Sequence, residues 1–449
     1  MTNHTPEPSK ALAPMHTTPR GPSRRRFLGL ASAGVATVGG GAVLLTNGGE
    51  SLPGVDAVSN AVTSAVGDAL PTPTTRPLVA SADVAGRTLV VIELSGGNDG
   101  LATLVPRNSG VLYDRRESVH IPDEELLDFD DDYGWNPGLT GLAGHGVAAL
   151  LGVGAVDAAD GSHFEMERRW WAGKSSGMDL PGTGFLGRLC DQLVVDQPVT
   201  GVAIGEGPSL SLRSGKAVTV GLNDPDSAWF LSNNEDPFFA NLRRGMAAMA
   251  IDSSNGAGPI AHARAGLSDT LAFAETLQKV DTEVVAERYP DTRLGVSLGT
   301  AAQLIDQQAG IRVLHITHGG FDTHGDQRGE HQQLMQELGD ALGPFLSELG
   351  EMGHAESTLV CTTSEFGRRL PENDHGTDHG AAGMAMLAGP VAAGTHGQMP
   401  SLTKLDDGNL VATVDFEEYY ATIAEKWFGI ASSEVLDSGA APIEGLITA

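Results

Sequence analysis

Aromatic residues, cysteines and basic residues are all scarce in this sequence of 449 residues. Phe, Trp and Tyr together make up 5%, and there are two cysteines. Cys361 lies in an apolar, strand-like run and is expected to be a buried thiol, while a disulfide between Cys190 and Cys361 is an open alternative. The 41% of hydrophobic residues is nevertheless enough for a large core in one big domain or two.

The shortage of basic residues decides which partners the folded part can have. The chain holds 28 Lys and Arg against 57 Asp and Glu, a formal net charge of -29. A surface this acidic repels nucleic acid and anionic lipid over most of its area, so no nucleic-acid partner is expected. An anionic substrate would need a locally positive site, and a bound metal ion is the simplest source of one.

A long, strongly apolar run is also missing. The segment Ser23–Leu28 reads SRRRFL and precedes a weakly hydrophobic run to about Leu45, which is broken by three glycines at 39–41. That break argues against a firm transmembrane helix. The segment resembles a twin-arginine export signal. Export through the twin-arginine machinery to the periplasm, the cell envelope or the medium is therefore expected, and a membrane tether through an uncleaved signal is the alternative.

Composition divides the chain into three parts. Residues 1–49 are the signal region, and residues 50–86 are a linker rich in Ala, Ser, Thr and Pro that we expect to be disordered. Residues 87–449 form the folded part. Its strand signals are apolar runs that alternate with helical patterns, at 88–94, 147–153, 311–317 and 358–363 for strands and at 267–285, 298–308 and 331–349 for helices. Continuous apolar strands predict a largely parallel sheet covered on both faces, a three-layer α/β/α fold.

Polar residues follow the ends of these predicted strands. Asp99 follows the first, Asp322 and His324 follow the third, and Glu365 follows the fourth. In such folds the ligand site lies outside the carboxyl ends of the strands, so these side chains should converge on one edge. Carboxylates at a shared edge repel one another unless a cation neutralises them. The pattern predicts one or two divalent ions, with a hydroxyl nearby.

Several of these residues have simpler interpretations. Asp99 before Gly100 is also a common turn former, and Asp322 could cap the next helix. Ser162 stands where a helix N-cap would, or where a hydroxyl could face an anion held by the helix N-terminus. The irregular segment 373–380 is dense in donors, among them Asp378 and His379. Arg188 or Arg368 could add contacts to a tetrahedral oxyanion, while Arg368 could instead pair with a neighbouring acid.

Six ordered motifs resemble one family. They are GGNDGL at 96–101, SHF at 162–164, GFLGR at 184–188, GGFDTH at 319–324, SEFGR at 364–368 and GTDHG at 376–380. They are similar to the domain of unknown function 1501 family, exported bacterial proteins grouped with the alkaline phosphatase and sulfatase superfamily. The resemblance covers about residues 87–430 and implies an alkaline phosphatase-like fold with metal ions, usually zinc.

The resemblance also implies roles for individual residues. The implied metal ligands are Asp99, Asp322, His324, Glu365, Asp378 and His379. Ser162 would lie in or near the nucleophile position, with His163 as a ligand or proton carrier and Arg368 on the oxyanion. Where an Asp-His pair is commoner in the superfamily, this chain has Glu365-Phe366. The expected function is an exported metal-dependent hydrolase of phosphate or sulfate esters; the alternative is a non-catalytic, ligand-binding protein of the cell envelope.

Overall fold

The structure, a computed structural model, describes most of the expected folded part. The described residues are 35–38, 41–44, 86–156, 161–177, 179–193, 199–205, 207, 209–223, 237–250 and 259–449. Apart from two short strands, the expected signal region and the expected linker lie outside the described residues.

Sixteen strands and ten α-helices are found in the described ranges. The strands are β1 Val35–Val38, β2 Gly41–Leu44, β3 Thr88–Ser95, β4 Leu104–Pro106, β5 Leu127–Asp128, β6 Tyr133–Trp135, β7 Val147–Gly154, β8 Gly201–Ile204, β9 Val218–Leu222, β10 Val313–Gly319, β11 Thr358–Thr363, β12 Arg368–Asn373, β13 Gly376–His379, β14 Gly383–Ala388, β15 Gly394–Gly397 and β16 Val414–Asp415. The helices are α1 Gly100–Thr103, α2 Gly110–Arg115, α3 His163–Ala172, α4 Phe185–Gln192, α5 Pro237–Ala250, α6 Pro259–Leu277, α7 Thr282–Arg288, α8 Arg293–Asp306, α9 Gln327–Met352 and α10 Phe416–Thr422.

Eleven of the strands form one mixed sheet. The order is β15-β7-β14-β11-β3-β10-β8-β9-β1-β2, with β16 also beside β7. The central strands β11, β3, β10, β8 and β9 are parallel, as continuous apolar runs predict. Strand β14 runs antiparallel to both of its neighbours, and β1 runs antiparallel to β9. The sheet is therefore largely parallel, with two strands reversed.

The side chains of each central strand alternate between two hydrophobic layers. Val90 and Ile92 of β3 pack with helices α8 and α9, whereas Leu89 and Val91 pack with α3, α4 and α10. Every one of these four residues is at most 3% exposed. Because both faces of a buried parallel strand need cover, helices lie on each side, and the fold is the predicted three-layer α/β/α arrangement.

Three sequence-based expectations need correction. The segment 373–380 is not an irregular loop but forms the turn and the second strand of the hairpin β12–β13. Asp374 and His375 at the turn both have positive φ, as a two-residue hairpin turn of type I′ requires. Helix α9 runs for 26 residues, includes Pro344 and is longer than the leucine pattern indicated. The predicted helix at 267–285 is divided between α6 and α7, which Asp281 caps.

Two further findings concern the cysteines and the membrane. Cys190 and Cys361 are buried free thiols, so the open alternative of a disulfide between them is wrong. Within the described ranges, no helix has the length and apolarity that a bilayer span requires.

Candidate metal centre

The loops that follow β3, β10 and β11 meet at the carboxyl edge of the sheet. They are packed tightly: a Cβ on Gly96 would lie 2.4 Å from the backbone nitrogen of Asp322, and Gly96 has a φ of +117°. The hairpin β12–β13 and the start of α3 close over the same edge. A Cβ on Gly376 would lie 2.2 Å from the backbone of His324, so only glycine lets the hairpin approach that residue.

Three histidines surround the carboxylate of Asp322. Nε2 of His379 lies 2.8 Å from Oδ1 of Asp322, and Nε2 of His324 lies 3.0 Å from the same oxygen. Nε2 of His163 lies 3.4 Å from Oδ2. The donor atoms of His163, Asp322 and His379 all lie within 4.8 Å of one another. Imidazole nitrogens around one carboxylate are a ligand set typical of zinc and similar divalent ions.

Hydrogen bonds alone do not account for this cluster, because acceptor atoms face one another in it. Nδ1 of His379 lies 2.7 Å from the carbonyl oxygen of Gly161, which can only accept, so Nδ1 carries the proton. Nε2 of His379 then directs a lone pair at Asp322 and at Nε2 of His324, 2.9 Å away. Acceptors this close attract only when a proton or a cation lies between them.

His163 has the same tautomer as His379, with its proton on Nδ1. Its Nδ1 lies 2.8 Å from Oε1 of Glu365 and donates to that carboxylate. Its Nε2 is buried and has no hydrogen-bond partner among the described residues. A buried nitrogen with an unused lone pair, aimed at Asp322, fits a divalent cation in this position.

Glu365 and Asp378 lie outside this inner group. Oε1 of Glu365 accepts from the backbone N–H of Gly96 at 2.8 Å and from His163, and the residue is 2% exposed. Asp378 accepts from the amide of Asn373 at 3.4 Å and lies 3.6 Å from Nδ1 of His324, which is beyond hydrogen-bond distance. Glu365 therefore faces the far nitrogen of His163, where it orients the ring and fixes its tautomer. The expectation that Glu365 is itself a ligand is not met by this geometry.

Arg368 holds Asp322 in place. The arginine donates to the carbonyl oxygens of Gly96, Gly97, Phe321 and Thr377, and it reaches Oδ1 of Asp322 at 3.0 Å. Burial acts to raise the pKa of Asp322. In the metal-free protein, hydrogen bonds from His379, which donates from Nε2 when its ring carries both protons, and from Arg368 outweigh burial and lower the pKa to about 2. The Arg368 side chain is 0% exposed, so it cannot contact a substrate as the sequence suggested.

Arg188 is engaged in a similar way. Its guanidinium donates to three backbone carbonyl oxygens, those of Ala172, Thr183 and Val435. It therefore joins the ends of α3 and α4 to the C-terminal region and does not serve as an oxyanion ligand.

Asp99 is not brought to the cluster either. One carboxylate oxygen accepts from the backbone of Leu101, and the other accepts from Arg116 and Gln327, both at 2.6 Å. Although burial raises it, the neighbouring Arg116 guanidinium keeps the pKa of Asp99 below its usual range. With both oxygens bound to protein donors and 1% exposure, Asp99 is part of a buried ion pair and cap of α1, which corrects the expected ligand role.

Ser162 is the N-cap of α3, as its position predicted. Its side chain makes no capping hydrogen bond, while its carbonyl accepts from Met166. Phe164 follows on the first turn and is 82% exposed. Phe366 stacks on the ring of His379 at a centroid distance of 4.4 Å.

The comparisons with known proteins identify two segments. The family described as "Protein of unknown function (DUF1501)" matches residues 162–437, and the twin-arginine signal described for the "Ubiquitinol-cytochrome C reductase Fe-S subunit" matches residues 14–46. The chain carries a twin-arginine signal and is exported. No curated relative matches it.

Remote structural likenesses also exist. The PsFucS1 sulfatase from Pseudoalteromonas sp. aligns at 12% identity with a TM-score of 0.36, covering 77% of this chain and 68% of the other. The phosphonate monoester hydrolase of Agrobacterium radiobacter aligns at 9% identity with a TM-score of 0.35, covering 76% and 73%. The TAB5 alkaline phosphatase, as a mutant with Mg bound, aligns at 12% identity with a TM-score of 0.30, covering 69% and 94%. Likeness at this level says nothing about activity.

Proposed function

Because this chain belongs to the DUF1501 family of proteins of unknown function, its activity has to be argued from its own side chains, and we propose that it is an exported, metal-dependent hydrolase of phosphate or sulfate esters. The proposed centre holds one divalent ion, zinc by preference. His163, Asp322, His324 and His379 would hold it. The carboxylates expected to complete a second ion site are engaged elsewhere, Asp99 with Arg116 and Glu365 with His163.

The observation that carries the proposal is the meeting of lone pairs at Asp322. His379 and His163 each donate from Nδ1 to an acceptor, Gly161 or Glu365, so in the neutral rings both Nε2 atoms face the carboxylate without a proton of their own. A cation removes the resulting repulsion and uses every one of these atoms. The exposure of the side chains of Asp322 and His324, 48% and 45%, leaves the centre open to solutes.

A bound zinc ion supplies a Lewis acid that polarises an ester oxygen. The protein's own residues have separate tasks. Glu365 and the carbonyl of Gly161 hold two histidines in the tautomer that presents Nε2, and Arg368 fixes the carboxylate of Asp322. Ser162 would be the attacking hydroxyl, since it directly precedes His163 at the N-terminus of α3, where backbone amides favour an anion.

A second candidate function is a non-catalytic metal- or ligand-binding protein of the cell envelope. Two observations favour it. The buried pair of Asp99 and Arg116 occupies the place of an expected ligand, and Arg368 has no surface to offer a substrate. The first candidate requires a bound metal ion and turnover, whereas the second requires no turnover and can bind a ligand without a metal ion.

The experiment combines metal analysis with a nucleophile variant. We expect zinc to bind the purified protein at one ion per chain and to be needed for ester hydrolysis. Ser162→Ala should abolish turnover while leaving zinc content and melting temperature almost unchanged, because it removes the proposed attacking hydroxyl and none of the four proposed ligands. Ser209→Ala is the matched control, since Ser209 caps a turn through its side chain and is expected to affect stability and not turnover. Zinc binding without turnover of any ester would favour the second candidate, and absence of bound metal would refute the hydrolase and the metal-binding form of the second candidate.

A further inference from the structure

Helix α5 is an exception to the acidic character of the chain. Its sequence, PFFANLRRGMAAMA, contains two arginines and no acidic residue. The chain as a whole has a formal net charge of -29. An anionic partner that is repelled over most of the surface can therefore approach the molecule at this helix.

The apolar side chains of α5 lie in two rows. Met246 is 3% exposed and packs against Ala274 of α6. Phe238, Leu242 and Met249 are 64%, 37% and 55% exposed. Because these three positions are four and seven residues apart, they lie on one face of the helix, over a length of about 16 Å. One row holds α5 on its neighbour, and the other is an apolar face in contact with solvent.

The two arginines of α5 add positive charge close to this face. Nη2 of Arg243 donates to Oε1 of Glu275 on α6 at 2.8 Å, which helps to hold α5 in place. Arg244 is exposed and donates to Asn241 and to the carbonyl oxygen of Ala240, both uncharged groups of its own helix. A helix is about 10 to 12 Å across, so a surface that receives the apolar face lies within about one Debye length of the arginines.

The size and charge of this face favour a lipid bilayer over another protein. Three side chains along about 16 Å bury much less than the about 1,000 Å² that a stable protein interface needs. A second copy of the chain would bring the arginines of two α5 helices together, and α5 has no acidic residue to pair with them. A bilayer with anionic lipid offers an apolar layer and negative charge together. The chain carries a twin-arginine signal, so it meets a membrane during export.

From these observations we propose that α5 binds the surface of an anionic lipid bilayer. Phe238, Leu242 and Met249 enter the headgroup region, and the arginines are attracted by the anionic headgroups. The helix lies in the plane of the surface and does not cross it. This contact is independent of the metal centre and of the proposed hydrolysis, and it concentrates the exported protein at a membrane.

The test measures the binding of the full-length protein to vesicles by co-sedimentation. We expect tighter binding to vesicles of phosphatidylglycerol and phosphatidylcholine than to phosphatidylcholine alone, with the difference lost at high salt. Leu242→Ser should weaken binding to the anionic vesicles about tenfold, since it removes a large apolar side chain from the bilayer. Arg244→Gln should weaken it about fivefold. Val411→Ser and Arg288→Gln are the matched controls, because both side chains are 47% exposed and lie outside α5.

A labelling experiment separates α5 from the signal region, whose apolar run could bind vesicles by itself. Cys190 and Cys361 are buried, so a thiol-reactive nitrobenzoxadiazole dye labels Leu242→Cys selectively, or Val411→Cys as the control. Entry of α5 into the bilayer predicts a blue shift of the dye emission on anionic vesicles for the first label and no shift for the second.

Several outcomes would overturn the proposal. They are no binding of wild type to anionic vesicles, unchanged binding of Leu242→Ser and Arg244→Gln, and an emission at Leu242→Cys that does not shift. A wild-type dimer that Leu242→Ser converts to a monomer without lipid would show that a second copy covers the face, and would also overturn it. Melting temperatures should match wild type in every variant, because the substituted side chains are exposed.

Discussion

Glu365 offers the sharpest test of the metal centre, because it contacts no ion itself. Its Oε1 accepts from Nδ1 of His163 and from the backbone of Gly96, both at 2.8 Å. Glu365→Gln keeps the shape and one acceptor oxygen but removes the charge. It also introduces an amide that can donate to Nδ1, which would move the His163 proton to Nε2 and block metal binding there.

The expected loss of zinc affinity in Glu365→Gln follows from the role of Glu365 in orienting His163. Loss of a carboxylate behind a ligating histidine typically weakens metal affinity about 10- to 100-fold, or about 1.4 to 2.8 kcal/mol. The assay is competitive zinc titration against a chromophoric chelator at fixed pH, with melting temperatures of the zinc-free proteins measured in parallel. Four ligands sharing one ion should leave binding weakened rather than abolished.

Glu372→Gln is the matched control. Its carboxylate also accepts backbone N–H groups, those of Ser118 and Val119, but it does not contact a histidine of the cluster. We expect wild-type zinc affinity for it. An unchanged dissociation constant in Glu365→Gln, or an equal loss in Glu372→Gln, would refute the assignment of His163 as a ligand oriented by Glu365.

Three further predictions concern other parts of the chain. Asp322→Asn should abolish stoichiometric zinc binding. In zinc-free wild type, the folded-state pKa of Asp322 is lowered to about 2, so the stability due to its carboxylate should be complete above about pH 4 and lost as the pH falls toward 2. The pH dependence of the unfolding free energy measures this loss. Arg116→Ala should lower the unfolding free energy by about 3 to 5 kcal/mol, because it leaves Asp99 buried without its partner, while zinc affinity stays near wild type; denaturant titration and zinc titration together decide it. Changing Arg24 and Arg25 to Lys should retain the protein in the cytoplasm, as cell fractionation would show, and unchanged export would contradict the signal assignment.

The central strands could be predicted from the sequence, because a strand buried on both faces needs a continuous apolar run. The same argument predicted that side chains after β10 and β11 meet at one edge, and Asp322 and Glu365 do so. The β12–β13 hairpin could not be predicted, since its segment is polar and lacks alternation. Its turn depends on Asp374 and His375 adopting positive φ, and the next residue, Gly376, packs against the backbone of His324.

The sequence also could not predict which carboxylates belong to the metal centre and which are bound to other protein groups. Asp99 and Asp322 both follow strand ends, so their positions along the chain do not distinguish them. Their donors do. Asp99 receives hydrogen bonds from Arg116 and from Gln327, which is 228 positions away in sequence, and no local pattern indicates that contact. The role of His163 could not be predicted for the same reason, because the Glu365 carboxylate that accepts from it is 202 positions away in sequence.

The proposed ligands come from segments far apart in the chain. Asp322 and His379 are 57 positions apart, and the carbonyl that orients His379 is 218 positions from it. An ion held by them would act as a reversible cross-link, which disfavours the unfolded chain because it closes long loops. Preferential binding to the folded state adds about 2.7 kcal/mol of stability when free zinc is at 100 times its dissociation constant. Chelators should therefore sensitise this protein to heat and proteases, whether or not it turns over a substrate.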